Sequence, residues 1–347
     1  MQSDYASRWA LEAERVYKSK VTQFALETET TIRKTEFTNI WDSLLGAGVW
    51  ALQNHTQLCT AIKNEKRFAV LIGMRPGVTF HLGHLTMMNE LQWYMQNGGV
   101  PLIVYAGFEA STKQEDLNLS LEFESFKKLY RRFTGGELTS ETVTISDLEN
   151  TALLRLERQI EEVITARKIL QLYGWDESTS VAKLRIPCKT AAAFLLPSVL
   201  MPEVPCVILS DINQVTHFEV AKIASRALGL RLPTVSYRHL LQSLEGPEGR
   251  MSVKNPKSLL LLDDGSEIVG NKLKRCFSGG KLTAEEQRKS GGNPDVCSFF
   301  KVANATLPRK ESFVIHESCR DGSVLCGQCK KLHIPEIAAR FENSEPD

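Results

Sequence analysis

Apolar and polar positions along the chain follow two different rhythms. Over residues 1–66 the spacing is helical: Glu12, Glu14, Arg15 and Lys18 decorate one helix, while Ile40-Trp41 and Leu44-Leu45 supply apolar faces. This stretch predicts a helical extension that packs on the rest and carries no chemistry. From residue 67 the rhythm changes. The apolar run Phe68-Ala69-Val70-Leu71-Ile72 reads as a strand, 85–96 as an amphipathic helix stopped at Gly98-Gly99, and Val100-Pro101-Leu102-Ile103-Val104-Tyr105-Ala106-Gly107 as a second strand covered on both faces. Residues 111–185 are helix-rich, with 153–173 patterned as one long amphipathic helix ending at Gly174. Strand and helix resume at Val207-Ile208-Leu209-Ser210, where Asp211 is a good N-cap for a helix over 212–228 closed by Gly229, and 232–237 is a further strand. Alternation of this kind predicts an α/β fold with a parallel, doubly wound sheet.

Composition narrows the setting. The 347 residues suit an α/β domain plus a smaller one, and 42% hydrophobic with 24% charged residues is ordinary for a soluble globular chain. A formal charge of +1 gives no global basic field, so any polyanion must be held by a local patch. Met1-Gln2-Ser3-Asp4 does not begin a secretory signal, and no run approaches the about 18 apolar residues of a membrane span. A cytoplasmic location is the expectation, with no membrane partner. The eight cysteines are then expected as thiols or metal ligands rather than disulfides.

Candidate chemistry concentrates where the first strand ends. Gly73-Met74-Arg75-Pro76-Gly77-Val78-Thr79-Phe80-His81-Leu82-Gly83-His84 runs strand, turn, helix N-terminus. The exposed amides and the positive end of the helix make such a turn an anion site, and His81 and His84 add donors. It is neither a Walker A loop nor a Gly-x-Gly-x-x-Gly turn. Glu109 follows the end of the second strand, the edge at which open α/β sheets bind ligands. Further on, Glu248-Gly249-Arg250-Met251-Ser252-Val253-Lys254-Asn255-Pro256-Lys257-Ser258 reads as a mobile basic loop able to close over a triphosphate. Cys297, Cys319, Cys326 and Cys329, spaced C-x21-C-x6-C-x2-C, suit tetrahedral Zn²⁺ or a [4Fe–4S] cluster, which sequence does not separate. Cys59, Cys188, Cys206 and Cys276 are expected to be buried apolar residues.

His81-Leu82-Gly83-His84 after Pro76-Gly77 resembles the first, HIGH-type signature of class I aminoacyl-tRNA synthetases, and Arg250-Met251-Ser252 with Pro256 and Ser258 resembles the second, KMSKS-type signature. Arg250 stands at its first lysine and Val253 at its second, with Lys254 adjacent. Three more stretches, 212–218, 276–297 and 325–331, resemble tryptophanyl-tRNA synthetases in particular. The resemblance implies a Rossmann-type (HUP-like) parallel sheet over 67–270 with a helical insertion at about 111–185, and a C-terminal helical domain over 271–347 that carries the cysteines. It implies ATP, Mg²⁺, an amino acid and tRNA as ligands, and a homodimer. His81, His84, Arg250 and Lys254 would be catalytic. Arg75, Pro76, Gly77, Gly83, Met251 and Ser252 would complete the ATP site, with Gly83 admitting the adenine ring. Gly73, Glu109, Thr190, Ala193, Asn213 and Gln214 would form the amino-acid pocket. Some members of the family carry a [4Fe–4S] cluster on nearly this cysteine spacing, with zinc the alternative here. Thr190 and Ala193 stand where the family places a Gln and an Asp, Asn213 replaces an Asp, and the tRNA-reading end is shortened. Two other readings follow from these departures: a paralogue that activates a different amino acid, and a catalytically impaired tRNA- or nucleotide-binding regulator.

Overall fold

The structure is a computed structural model describing residues 2–106, 119–147 and 149–342. Seven strands form one sheet in the order β1-β2-β7-β6-β3-β4-β5. They are β1 Glu27–Thr28, β2 Val49–Gln53, β3 Phe68–Met74, β4 Gly99–Tyr105, β5 Val143–Ser146, β6 Cys206–Asp211 and β7 Thr234–Arg238. From β5 to β7 every neighbouring pair is parallel, and β3 is central, pairing with β4 on one side and β6 on the other. The chain winds outward from β3 to β5, returns to β6, and winds out again. The crevice between the carboxyl ends of β3 and β6 is therefore a topological switch point, where such sheets bind ligands. The inner strands β3, β4 and β6 are buried along most of their length, which explains their near-continuous apolar runs.

Three expectations are corrected. Residues 1–66 are not all helical, because β1 and β2 lie there and β2 pairs antiparallel with β7. All five residues of Val49–Gln53 are buried, so the segment extends the sheet core rather than forming an outer appendage. The region expected as a helical insertion contains β5, parallel to β4. The helix expected over 153–173 is two helices, Thr151–Val163 and Ala166–Tyr173. Ile164 is extended, and the Thr165 hydroxyl accepts the Lys168 amide at 3.2 Å, a side-chain N-cap that starts the second helix afresh.

The helix Leu82–Gln96 lies against the sheet, with Leu82, Met88, Leu91 and Tyr94 buried. The C-terminal helix Ser298–Thr306 docks on it, where the Asn89 amide donates to the Ala305 carbonyl at 3.2 Å. Among the described residues no helix is long and apolar enough to cross a membrane.

Candidate active site

β3 stops at Met74 and the chain turns through Arg75, Pro76 and Gly77. Gly77 has φ +68°, a left-handed conformation that a residue with a Cβ adopts only under strain. Its amide donates to the Glu122 carboxylate at 3.2 Å, which fixes the turn to the neighbouring helix Leu119–Thr134. Phe80 is buried against Phe126 and meets the His84 ring edge to face at 5.3 Å.

The next four residues build the helix start. The His81 Nδ1 accepts the Gly83 amide at 3.0 Å, and the His84 Nδ1 accepts the His81 amide at 3.1 Å. This is a capping box made of two imidazoles. Burial lowers both pKa values, and His84, further lowered by His81 and Arg238, falls to about 3. Both rings are neutral at pH 7. Because each Nδ1 lone pair accepts an amide, each ring proton belongs on Nε2. The turn therefore offers two Nε2–H donors beside the positive end of a helix dipole, with ring centroids 4.3 Å apart. Gly83 has a direct role here: a Cβ would lie 2.7 Å from the His81 ring and displace the cap.

The second signature is joined to the first by backbone. His81 bridges to Leu261, the Leu82 amide donates to the Leu260 carbonyl at 2.9 Å, and the Leu262 amide to the Phe80 carbonyl at 2.9 Å. The basic loop is drawn as a hydrogen-bonded turn. β8 Gln242–Ser243 and β9 Gly246–Arg250 form a hairpin that leads into it. Met251 is buried, and the Ser258 hydroxyl accepts the Ser252 amide at 3.1 Å and donates to the Asn255 carbonyl at 2.7 Å. Arg250 and Lys254 remain exposed on this frame.

A cavity of about 310 Å³ opens at the switch point. Gly73, Thr190, Ala193 and Gln214, assigned to the amino-acid pocket, line it together with Arg75, assigned to the ATP site; Asn213 is exposed outside the lining, and Glu109 lies outside the described residues. Lys189, beside Thr190, also lines it, as do three charged residues that the sequence reading did not place there: Asp147, Asp211 and Arg238. Arg238 ends β7, donates to the Ser210 carbonyl at 3.2 Å, and lies 3.7 Å from the Glu90 carboxylate. Glu90 comes from the helix that begins at the two histidines, and also accepts the Ser236 hydroxyl. Burial pushes its carboxyl up to about 7, against the opposing pull of Arg238. The Lys189 ammonium is matched by buried Glu157 at 3.2 Å, so it adds no net charge to the pocket. The Thr190 hydroxyl donates to the Ile186 carbonyl at 3.1 Å, leaving its oxygen lone pairs as acceptors. A cation at the carboxyl end of a predicted strand was the available signal for Arg238; no local pattern marks Asp147.

Cys297, Cys319, Cys326 and Cys329 surround one common space with Gln287, Phe300 and Ile315. The Phe300 amide donates to the Cys297 sulfur at 3.4 Å, and the Gln287 amide to the Cys326 sulfur at 3.5 Å. Added Cβ atoms at Gly280 and Gly292 would each lie 2.8 Å from a sulfur of this set. Among the described residues no group of three or more His, Cys, Asp or Glu is arranged to hold a metal ion, so the tetrahedral zinc geometry is not found. Cys59, Cys188, Cys206 and Cys276 are buried, as expected.

A parallel sheet with its switch point at β3 and β6, a histidine-capped helix at that point and a basic turn stitched to it define a class I aminoacyl-tRNA synthetase core. The tryptophan–tRNA ligase of Pyrobaculum aerophilum is 30% identical over 276 residues, 77% of this chain and 72% of that protein. That of Methanocaldococcus jannaschii is 28% identical over 296 residues, 80% and 77% of the two chains. The chain belongs to the tryptophan–tRNA ligase family. The crystal structure of tryptophanyl-tRNA synthetase from Aeropyrum pernix superposes with a TM-score of 0.80 at 23% identity, over 96% of this chain and 93% of that one, which shows the shared fold. No family model matches the chain.

Proposed function

We infer that the chain activates tryptophan with ATP and transfers it to tRNA. The observation that carries this reading is the backbone bridge between Phe80–Leu82 and Leu260–Leu262, which fixes the two signatures in one frame. In the first step the amino-acid carboxylate oxygen attacks the α-phosphorus of ATP, the bond to the β-phosphate oxygen breaks, and pyrophosphate leaves. In the second a terminal ribose hydroxyl of tRNA attacks the acyl carbon and AMP leaves. No side chain has to act as a nucleophile; positioning and charge stabilisation carry the rate. His81 and His84 donate from Nε2 to phosphate oxygens without carrying charge. Arg250 and Lys254 neutralise the departing pyrophosphate. Mg²⁺ bound with ATP supplies further neutralisation of the phosphates. Arg75, Pro76, Gly77, Met251 and Ser252 shape the ATP side of the site.

In the amino-acid pocket Gly73, Ala193 and Gln214 line the switch-point cavity, and Asp147 and Thr190 offer oxygens to an indole N–H. These acceptors stand in for the family Gln and Asp that Thr190 and Ala193 replace. That replacement also supports a second reading, activation of another amino acid. The test is charging of a total tRNA pool with labelled amino acids. Tryptophan esterified to its tRNA bears out the first reading; charging with another amino acid alone favours the second. We also propose a homodimer in the cytoplasm, as the family resemblance implies.

For the cysteines we propose a [4Fe–4S] cluster. Four thiols line one space, N–H donors from Phe300 and Gln287 reach two of the sulfurs, and the family resemblance favours the cluster over zinc. Bound there, the cluster cross-links the starts of helices Ser298–Thr306 and Cys326–Ala339 to the end of Arg309–Arg320. Anaerobically purified protein is expected to be brown, with about four iron and four labile sulfide per chain, and Cys326→Ser to lose the colour. Colourless protein without iron or sulfide contradicts the proposal.

A further inference from the structure

A second cavity, larger than the switch-point pocket, lies among the described residues. About 650 Å³ is enclosed between the first helix Gln2–Val16, the helix Leu82–Gln96 and the C-terminal helices. Its volume falls in the range of small-molecule sites. Its lining holds Lys301, Arg309 and Arg340 and not one Asp or Glu, in a chain whose formal charge is only +1. The concentration of positive charge is therefore local.

The three cations differ in what already engages them. The Arg309 guanidinium lies against Gly46, so close that a Cβ there would sit 1.9 Å from Nη1. It serves the carboxyl end of helix Thr38–Gly46, where a cation complements the dipole. Lys301 is held less directly: among the described residues it enters no salt bridge, its ammonium sits 5.4 Å from the Trp9 ring, and Asp295 and Glu12 act on its charge from further off. The opposing wall is the Trp9–His239 stack, centroids 3.4 Å apart, and the His239 Nε2 is buried with no hydrogen-bond partner. Burial lowers the pKa of both Lys301 and His239, for Lys301 against the opposing pull of Asp295 and Glu12. A buried ammonium whose acidic neighbours stop short of a salt bridge gains from an anion that contacts it directly. Arg340, exposed at the mouth, adds a second positive charge. Along the helix Leu82–Gln96, Thr86, Asn89, Gln92 and Gln96 present a hydrogen-bonding stripe beside the flat Trp93 ring.

We propose that this cavity is a second ligand site, for a phosphate ester with a planar ring and the size of a nucleoside monophosphate, the phosphate seated between Lys301 and Arg340. Two cations without an acid match a phosphate dianion better than a carboxylate. The ring lies along Trp93, and the helix stripe meets the polar edges. This site is separate from the ATP turn, although Leu85 and Thr86 place its floor one residue beyond His84.

Equilibrium dialysis of labelled AMP against the full chain tests it. Wild type is expected to bind two AMP per chain. Lys301→Met abolishes one site, Arg340→Ser weakens that same site at least about tenfold, and His84→Ala weakens the other. A Lys301-dependent site present without a His84-dependent one would sink the ATP-site reading and leave this one standing. The proposal is overturned by a single site that Lys301→Met and Arg340→Ser leave unchanged, or by no AMP binding beyond the His84-dependent site. Should Lys301→Met fail to fold, Arg340→Ser, on an exposed side chain, decides alone: no change in AMP affinity overturns the proposal.

Discussion

His84→Ala is expected to slow amino-acid-dependent ATP–pyrophosphate exchange by about 10²–10³-fold, the usual loss when one preorganised donor to a developing anion is removed. The loss belongs in the rate at saturating ATP more than in ATP affinity, because the donor acts on charge that grows as the phosphorus is attacked. The substitution also removes the acceptor of the His81 amide, a capping contact whose loss costs about 1 kcal/mol of stability. That is too little to unfold the chain, so the rate effect is separable by measuring thermal unfolding alongside. His84 titrates near 3 in the folded protein, so it contributes no break to the exchange profile between pH 5 and 8. An effect of less than about threefold at saturation would remove His84 from the phosphate site.

Arg238→Met is expected to destabilise the fold most above pH 7, where the fully buried Glu90 carboxylate loses its cation and has to take up a proton instead. Glu90→Gln keeps the shape and the Ser236 contact without the charge, and is expected to be far milder. The pair has a pH signature. The Glu90 carboxyl has an ordinary value of 4.5 and rises to about 7 in the fold. Between those values the folded state holds the extra proton, so this group's contribution to stability is complete below about 4.5 and is lost as pH rises through 7. His84 and His217, lowered to about 3 and 4, act in the opposite sense, their contribution being lost as pH falls below about 6.5. The Glu90 part is isolated by difference: denaturant unfolding of wild type and Glu90→Gln should diverge in the variant's favour from pH 5 to 8. Parallel curves would show that Glu90 does not titrate in that window. Glu90 therefore links the histidine-capped helix to the cation of the amino-acid pocket.

Legibility in the sequence tracked how local each signal was. β3, β4 and β6 are long apolar runs, and such runs announce strands buried on both faces. The His81–His84 turn was readable because strand, turn and helix start are contiguous. Val49-Trp50-Ala51-Leu52 carried the same strand signal but sat among helical spacing, and its partner β7 lies almost two hundred residues away. β5 is four residues, of which only Ile145 is buried, too short and too polar for its period to show. The break at Thr165 was written in the threonine itself, an N-cap in the middle of an apolar stripe. The pocket was legible in Gly73, Thr190, Ala193 and Gln214 through family likeness, whereas Asp147 and Arg238 are brought there by strand pairing alone. Asn213 was misplaced because Asp211 takes its amide at 2.8 Å and turns its side chain outward into a short 3-10 turn. The Lys301 cavity left no trace, since its walls come from segments scattered between Ala6 and Arg340.

The most direct test of the central claim is ATP–pyrophosphate exchange by the purified chain, run with each of the twenty amino acids. The two bridged signatures and the acceptors of the switch-point pocket predict exchange that depends on tryptophan and on no other amino acid. Exchange driven only by a different amino acid, or no exchange with any while tRNA still binds, would contradict it.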